Sequence, residues 1–200
     1  MLDSYDLSTI RQRLTTRPPA VPMDAQTSGK MAAVAAILRD GRDGGDAEIL
    51  FIRRAERPLD PWSGHMAFPG GRREAHDRSV LETAIRETRE EVGLDLGAHG
   101  TLLYRLPDVR ATARGRIQDL TVAPFVFALA GSEANLVSNV EVAETLWTPL
   151  EPLARGENAS TFEYAYDDVS VTLPCLRVGD RVVWGLTWRM LHALFDVLHA

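Results

Sequence analysis

Apolar residues recur three and four positions apart in three segments of the chain, the spacing that places side chains on one side of an α-helix. This pattern predicts helices over residues 3–14, 79–92 and 186–198. Gly93 directly follows the second segment and predicts its C-terminal cap, because glycine tolerates the left-handed conformation that often ends a helix. Each of these amphipathic helices needs an apolar surface to cover.

Shorter apolar runs, bounded by turn residues, predict strands between these helices. The run "KMAAVAAIL" and the segment "AEILFIRR" at 47–54 are separated by the turn "GRDGGD" and predict a hairpin. Further strands are predicted in "HMAFPGG" and at 101–106, 121–129, 144–147, 169–173 and 181–184. Strands and helices in this order predict an α/β (α+β) fold with helices on both sides of a mixed β-sheet.

The length of the chain, 200 residues, is enough for one domain with a full hydrophobic core. Its first part combines the first helix with "TTRPPAVPMDAQTSGK", a stretch without periodicity that is typical of an extended linker. We therefore divide the chain into an N-terminal helix and linker, 1–29, and a main domain, 30–200. The sequence leaves open whether the N-terminal segment covers the core, the functional site or a partner chain.

The charge and cysteine content narrow the functional classes. A formal net charge of −6 argues against nucleic acid as a partner, which requires a basic face. The N-terminus is too polar for a signal peptide, and the longest apolar run, 31–38, is too short to cross a bilayer. The single cysteine, Cys175, allows no intramolecular disulfide. These features predict a cytoplasmic protein that binds no membrane, and an anionic substrate would require a metal or clustered arginines.

Three carboxylates fall close together in the second predicted helix. Glu87, Glu90 and Glu91 are spaced i, i+3, i+4, so they share one arc of the helix surface, where like charges repel. A solvated acidic face is one interpretation. The other is a site for a divalent cation such as Mg²⁺, which binds several carboxylate oxygens that converge from one side.

The segment around these glutamates, "GGRREAHDRSVLETAIRETREEVGL" at 70–94, resembles the Nudix box, G-x5-E-x7-R-E-U-x-E-E-x-G-U, in which U is a bulky aliphatic residue. The match runs from Arg86 to Leu94, with Thr88 at a U position as its one irregularity. The interval from Gly71 to Arg86 is one residue longer than in the general pattern, and the acidic position is Asp77. A branch of the family that resembles coenzyme A pyrophosphatases carries the same extra residue and an Asp there.

The resemblance to that branch extends over roughly residues 30–198. "AFPGG" precedes the box, "EVAE" begins at 141 and is followed by "WTPL", and "WGLT" opens the last predicted helix. The upstream signature of the branch, approximately L-L-T-x-R-S followed by G-Q-x-x-F-P-G-G, is altered. The chain has Ala55 in place of the Ser and His65 in place of the Gln.

The resemblance implies a Nudix-like α/β/α sandwich and a hydrolase that depends on Mg²⁺ or Mn²⁺. It implies that Glu87, Glu90, Glu91 and the carbonyl oxygen of Gly71 bind the metal. It also implies that Arg86 orients the glutamates by ion pairing, although a surface pair with Glu82 or Glu90 is the plainer interpretation.

A further catalytic base in this family often comes from a loop outside the box. Glu141 and Glu144 in "SNVEVAETLWTPL" are the candidates, and Glu141 is favoured.

Candidate substrate-binding residues surround the box. Arg53, Arg54 and Arg72 suit bidentate contacts with phosphate, although Arg is this chain's preferred cation and Lys30 is its only lysine. Trp62 either stacks on a base or caps the core. Two further tryptophans, Trp184 and Trp188, are predicted to pack the terminal helix, and His65 is assigned no catalytic role.

The resemblance implies hydrolysis of the phosphoanhydride bond of a small nucleoside-diphosphate-linked substrate. Coenzyme A or acyl-coenzyme A, giving 3′,5′-ADP and 4′-phosphopantetheine, is the first candidate. Another Nudix pyrophosphatase activity, on ADP-ribose, a dinucleotide or an oxidised nucleoside triphosphate, is the alternative within enzymes. A non-catalytic nucleotide-binding regulatory module is the alternative outside them, and a homodimer is left open.

Overall fold

A computed structural model describes residues 2, 4–23, 25, 29–58, 60–113, 115–131, 135–166 and 169–200. The described residues form helices and strands, in chain order α1 (Leu7–Thr15), β1 (Met31–Arg39), β2 (Glu48–Arg54), β3 (Met66–Ala67), β4 (Gly70–Arg72), α2 (Val80–Val92), α3 (Leu96–His99), β5 (Gly100–Arg105), β6 (Val109–Ala113), β7 (Arg116–Leu129), β8 (Val142–Pro149), α4 (Leu150–Ala154), β9 (Ala159–Tyr166), β10 (Val169–Val178), β11 (Arg181–Trp184) and α5 (Gly185–His199). Four positions of the predicted linker, 24 and 26–28, lie outside the described residues.

Among the described residues, the larger of two sheets has eight strands and is mixed. Its main path runs β3-β2-β1-β7-β5, with β4 paired to β1, β6 to β7 and β8 to β2. Strands β1 and β7 run parallel from Met31↔Thr121 to Leu38↔Ala128, whereas the other pairings are antiparallel. A separate antiparallel sheet has the order β11-β10-β9.

Strand β1 shows how the sequence produces two layers of core. Its side chains alternate between the two faces of the sheet, so Ala32, Ala36 and Leu38 pack with α1 and α5 on one face. Residues between them, such as Ala35 and Ile37, pack with α2 on the other face. A strand buried on both faces is apolar throughout, and the helices cover both faces, as the predicted α/β/α sandwich requires.

The second, three-stranded sheet lies beside the main one and joins it through side chains. The Arg181 guanidinium of β11 contacts the Glu144 carboxylate of β8 at 2.8 Å. In α5, which directly follows β11, Thr187 Oγ1 donates to the carbonyl oxygen of Met66 at 2.9 Å. The rings of His65 and Trp184 lie 4.7 Å apart. Strand β3, just before the glutamate-bearing segment, is therefore in direct contact with the start of α5.

The predicted fold class is confirmed, and each predicted helix and strand is present, several with different ends. Strand β7 begins at Arg116 rather than 121, β10 extends to Val178 rather than 173, and "HMAFPGG" forms two strands, β3 and β4, instead of one. Strands β6 and β9 and helices α3 and α4 were not predicted from the sequence. Helix α1 is shorter than predicted, beginning at Leu7, because Asp6 caps it by accepting the N–H of Thr9 at 2.9 Å. Its apolar side packs into the core with α5, and the division of the chain at residue 29 stays a prediction. Among the described residues, no helix has the length and apolar character needed to cross a membrane.

Candidate active site

The turn before α2 brings main chain and carboxylates together. Strand β4 pairs with β1, and Gly70 is needed there because a Cβ would lie 2.2 Å from the carbonyl oxygen of Ala33. Its φ of 150° also favours glycine. At Gly71 a Cβ would lie 2.5 Å from Cδ of Glu87. The two glycines therefore let the strand approach β1 on one side and the Glu87 carboxylate on the other.

Helix α2 sets the direction of the glutamates. Ser79 caps its N-terminus by accepting the N–H of Glu82 at 3.1 Å. At the other end Gly93, with φ of 70°, donates its N–H to the carbonyl oxygen of Arg89 at 3.0 Å, which confirms the predicted cap. The helix is thus fixed at both ends.

Glu91 is the most buried of the three glutamates. Only 3% of its surface is exposed, and its Oε2 accepts the N–H of Gly70 at 2.8 Å. Burial raises the pKa of Glu91 to about 7, and the charges of Glu87 and Glu141 add to this effect. A carboxylate in this position is unfavourable without a cation.

Glu87 and Glu90 differ from Glu91 and from each other. Burial raises the pKa of Glu87, although its Oε1 lies 3.0 Å from Nη1 of Arg86. The side chain of Glu90 is 52% exposed, also 3.0 Å from Arg86, and does not line the cavity described below. The structure therefore places two of the glutamates in a desolvated position and the third at the surface.

Arg86 is buried and at the centre of the ion pairs in this region. Its Nε and Nη2 donate to Asp77 at 2.9 Å each, and Nη2 also donates to the carbonyl oxygen of Arg72 at 3.0 Å. The Arg86 guanidinium holds the pKa of Asp77 well below its usual range. The contact between Arg86 and Glu90 agrees with the surface ion pair that was the alternative interpretation from the sequence. Arg86 is nevertheless buried and not at the surface, and it is also paired with the buried Asp77.

A cavity of about 750 Å³ opens beside these carboxylates, within the size range of small-molecule sites. Glu87, Glu91, Gly70 and Gly71 form one end of it. Residues from the main sheet, the small sheet, α5 and the loop between β2 and β3 form the rest, including Trp62, Tyr164, Leu173, Trp184, Leu186 and Trp188. The cavity thus has an acidic end and a largely apolar, aromatic end.

The predicted substrate-binding residues divide into two groups. Arg54, Arg72 and Trp62 line the cavity. Arg54 donates to Asp60 at 2.7 Å, while its buried Nε has no hydrogen-bond partner among the described atoms. Arg53 does not line the cavity, and lies 3.4 Å from Glu144.

The two candidate bases, Glu141 and Glu144, have different surroundings in the structure. Glu141 lines the cavity at its rim, where its partly exposed carboxylate lies 3.0 Å from Nη2 of Arg57. Glu144 accepts hydrogen bonds from Arg181 at 2.8 and 3.0 Å and holds the small sheet against β8. Of the two, Glu141 is therefore the one that lines the cavity, and its role as a base stays a prediction.

An aromatic cluster in the cavity was missed by the sequence analysis. The Trp184 ring lies 4.7 Å from the ring of His65 and 4.6 Å from that of Tyr164. The prediction that Trp184 and Trp188 only pack the terminal helix was incomplete, since both line the cavity. The local signal was the "WGLT" segment, but the partners of Trp184 come from distant segments and could not be read from it.

The residues at the acidic end fit a divalent cation. Two desolvated carboxylates, Glu87 and Glu91, both have a raised pKa, and the main chain at Gly71 comes close to one of them. Oxygen donors of this kind are the ligands that Mg²⁺ and Mn²⁺ prefer. Among the described side chains, no three acidic, His or Cys groups already converge as ligands, because Glu90 is turned toward Arg86.

Substituting Gly71 with Ala tests whether the Glu87 carboxylate must lie against this turn. The new Cβ would overlap the carboxylate, 2.6 and 2.7 Å from its oxygens, and move it by about an ångström. We expect roughly a 100-fold loss of kcat/KM, the scale of loss that a misplacement of this size causes. Activity would be measured with Mg²⁺ on the substrate identified by the panel described below.

The melting temperature of the Gly71→Ala variant should change little, because the φ of Gly71 is not positive and the overlap involves only a side chain. Gly97→Ala, in α3 and outside the cavity, is the matched control and should keep full activity. Full activity in Gly71→Ala would show that the position of Glu87 against the turn is unimportant.

Comparison with known proteins identifies the class to which this fold and site belong. The family model described as NUDIX domain matches residues 29–168. The chain therefore belongs to the Nudix family, which confirms the resemblance seen in the sequence.

Two curated relatives and one solved structure show how far the similarity extends. The chain is 33% identical over 162 residues to an uncharacterised protein of Schizosaccharomyces pombe, covering 74% of this chain and 49% of that protein. It is 30% identical over 144 residues to the mitochondrial coenzyme A diphosphatase NUDT8 of Homo sapiens, covering 70% and 58%. The crystal structure of the Nudix hydrolase RenU from M. smegmatis is 26% identical, with a TM-score of 0.51, covering 66% and 78%. The chain spans about half the length of the curated relatives named here.

Proposed function

We propose that this chain is a divalent-metal-dependent hydrolase of the phosphoanhydride bond in a nucleoside-diphosphate-linked substrate. The observation that carries the proposal is the pair of desolvated carboxylates, Glu87 and Glu91, at one end of a cavity of about 750 Å³. Water adds across the P–O–P linkage, so that one phosphorus gains the hydroxyl group and the other phosphate leaves as a monoester.

Glu87, Glu90, Glu91 and the Gly71 carbonyl oxygen would hold Mg²⁺ or Mn²⁺. When bound, the ion supplies positive charge for the phosphoryl oxygens and lowers the pKa of a bound water. Glu90 would first turn away from Arg86, which its exposed position permits.

The other residues of the site orient the substrate and move protons. Arg54 and Arg72 face the cavity and suit the phosphate oxygens. Glu141 at the rim is the proposed acceptor of the proton from the attacking water. Arg86 contacts no substrate in this proposal, and acts by holding Glu87 at 3.0 Å while Asp77 holds Arg86.

Coenzyme A or acyl-coenzyme A is the proposed substrate, giving 3′,5′-ADP and 4′-phosphopantetheine. This choice rests on the named relative, on the extra residue in the box and on the apolar, aromatic end of the cavity, which suits the uncharged pantetheine chain of the leaving phosphate monoester. The cytoplasmic location and a homodimer stay predictions.

A substrate panel tests the proposal. Coenzyme A, ADP-ribose, NADH, diadenosine polyphosphate and 8-oxo-dGTP are each incubated with and without Mg²⁺, and the products are identified by mass. Formation of 3′,5′-ADP and phosphopantetheine only with Mg²⁺ is the expected result. Hydrolysis of another member alone would overturn the substrate, and no hydrolysis together with intact Mg²⁺ binding would favour a regulatory module.

A further inference from the structure

A second, smaller depression lies next to the cavity. It has a volume of about 350 Å³ and is lined by Gly29, Lys30, Met31, Arg72, Arg73, Glu74, Ala75, Asp119 and Leu120. Arg72 and Leu120 line both the depression and the cavity, so the two adjoin. The proposed function leaves this depression without a role.

The backbone fixes the basic residues of the depression close to the acidic end of the cavity. Ala32 of β1 pairs with Arg72 of β4, and the N–H of Arg73 donates to the carbonyl oxygen of Met31 at 2.9 Å. Lys30 directly precedes Met31, and Arg72 directly follows Gly71. A strand rises about 3.3 Å per residue, so Arg73 lies only roughly 7 Å along the strand from Gly71.

Three cationic side chains line the depression, and two of them, Arg72 and Arg73, form no ion pair with a carboxylate among the described residues. The Arg73 guanidinium donates to main-chain carbonyl oxygens, those of Asp77 at 3.1 Å and Arg78 at 3.4 Å, rather than to a carboxylate. The carbonyl oxygen of Arg72 accepts from Arg86. Within the described residues, the Arg72 guanidinium has no acidic partner at ion-pair distance.

The third cation, Lys30, is held only by a weak ion pair with Asp119. Lys30 lies 3.6 Å from Asp119, but the two side chains are 74% and 79% exposed. An ion pair that is so exposed contributes little to stability, so Lys30 can turn to an anion in the depression at small cost. Three cations against two carboxylates, Glu74 and Asp119, leave a local positive excess in a chain of net charge −6.

From this arrangement we propose that the depression is a subsite for a phosphomonoester on the ribose of the substrate's nucleotide. A 3′-phosphate sits on the same ribose as the 5′-linked diphosphate, and so lies within a few bonds of it. Lys30 and Arg73 would contact the monoester while the diphosphate lies at Gly71, and Arg72, which lines both the depression and the cavity, would lie between the two phosphate groups. The inference rests on the proposed function and deepens it, because it explains selection of a 3′-phosphorylated nucleotide.

Binding without turnover tests the subsite separately from the reaction. Isothermal titration of the full chain compares 3′,5′-ADP with 5′-AMP, which differ only in the 3′-phosphate. We expect wild type to bind 3′,5′-ADP about tenfold more tightly at low salt, with the preference shrinking as salt screens it. Lys30→Gln should reduce the preference to about twofold, and Lys30→Arg should largely restore it.

Arg11→Gln is the matched control, since it removes one exposed positive charge that lines neither the cavity nor the depression, and it should leave the preference unchanged. Equal binding of the two nucleotides by wild type would overturn the inference, as would a full preference in Lys30→Gln. Inorganic phosphate that displaces 3′,5′-ADP at an equal concentration would assign the depression to free phosphate and would also overturn it.

Measuring turnover distinguishes failure of the proposed subsite from failure of the proposed hydrolase reaction. The ratio of kcat/KM for coenzyme A to that for dephospho-coenzyme A should fall in Lys30→Gln. If wild type hydrolyses both equally well, the subsite is wrong while the hydrolase proposal stands. If wild type hydrolyses neither but still prefers 3′,5′-ADP through Lys30, the proposed reaction fails and the subsite stands.

Discussion

Glu91→Gln is expected to remove nearly all activity while leaving the protein folded. The Glu91 carboxylate is buried at the acidic end of the cavity, and the metal that it would help to hold contributes several kcal/mol of transition-state stabilisation. At about 1.4 kcal/mol per tenfold change in rate, the loss in kcat/KM should be on the order of 10³-fold. The measurement is steady-state kinetics with saturating Mg²⁺ on the substrate identified by the panel.

The fold should survive this substitution for a physical reason. Burial raises the pKa of Glu91 to about 7, so its charged form is unfavourable without a cation, and a neutral glutamine avoids this cost. The glutamine oxygen can still accept the N–H of Gly70. The melting temperature in EDTA should therefore be no lower than that of wild type.

Mg²⁺ should raise the melting temperature of wild type and have little effect on Glu91→Gln, because only a ligand that binds the folded state stabilises it. Glu82→Gln is the control, since Glu82 lies on the same helix but pairs with Arg78 at the surface, and it should behave as wild type. Activity in Glu91→Gln within a few-fold of wild type would remove Glu91 from the metal site.

The helix that carries the glutamates could be predicted because its signals are local. Its apolar stripe and Gly93 lie within about four turns, and the observed helix, Val80–Val92, differs from the prediction by one residue at its start. The shared arc of the three glutamates also follows from helical geometry. That Glu91 would be buried and Glu90 exposed could not be predicted, because helical spacing does not say which side of the arc meets the sheet.

The parts that were missed depend on contacts between distant segments. Strand β9 alternates exposed and half-buried positions from Ala159 to Ala165, with none fully buried, and its partner β10 stabilises it from Leu176↔Ala159 to Val169↔Tyr166. The aromatic cluster joins His65, Tyr164 and Trp184, which are separated by up to 119 positions in sequence. Contacts between segments so far apart cannot be predicted from a single sequence, and the residues that make them form much of the cavity wall.

The role of Asp77 could be predicted only in part from the sequence. Its place in the box could be recognised from the spacing, but its contacts required the structure. Asp77 accepts from Arg86, from the N–H of Glu74 at 2.9 Å and from Thr83 Oγ1 at 2.9 Å. Arg86 in turn reaches Glu87. The extra residue between Gly71 and Arg86 is thus accommodated in a turn that presents a buried carboxylate to the arginine.

Asp77→Asn is consequently expected to have the largest effect on stability. It removes the charge that compensates a buried guanidinium, and breaking such a pair costs about 3 kcal/mol. Urea denaturation at pH 7 should show this decrease in the free energy of unfolding. Asp40→Asn, at an exposed position, should change it by less than about 0.5 kcal/mol.

The pH dependence of that difference identifies the cause. The pKa of Asp77 is held low in the folded state by Arg86, so its contribution is fully present above the unfolded pKa, about 4, and is lost as the pH falls toward the folded value. The gap between wild type and Asp77→Asn should therefore narrow below about pH 4. A constant gap would mean that packing in the turn, and not the ion pair, stabilises this region. Equal stability at pH 7 would mean that Glu87, Glu90 and the Arg72 carbonyl oxygen are enough to hold Arg86 in place.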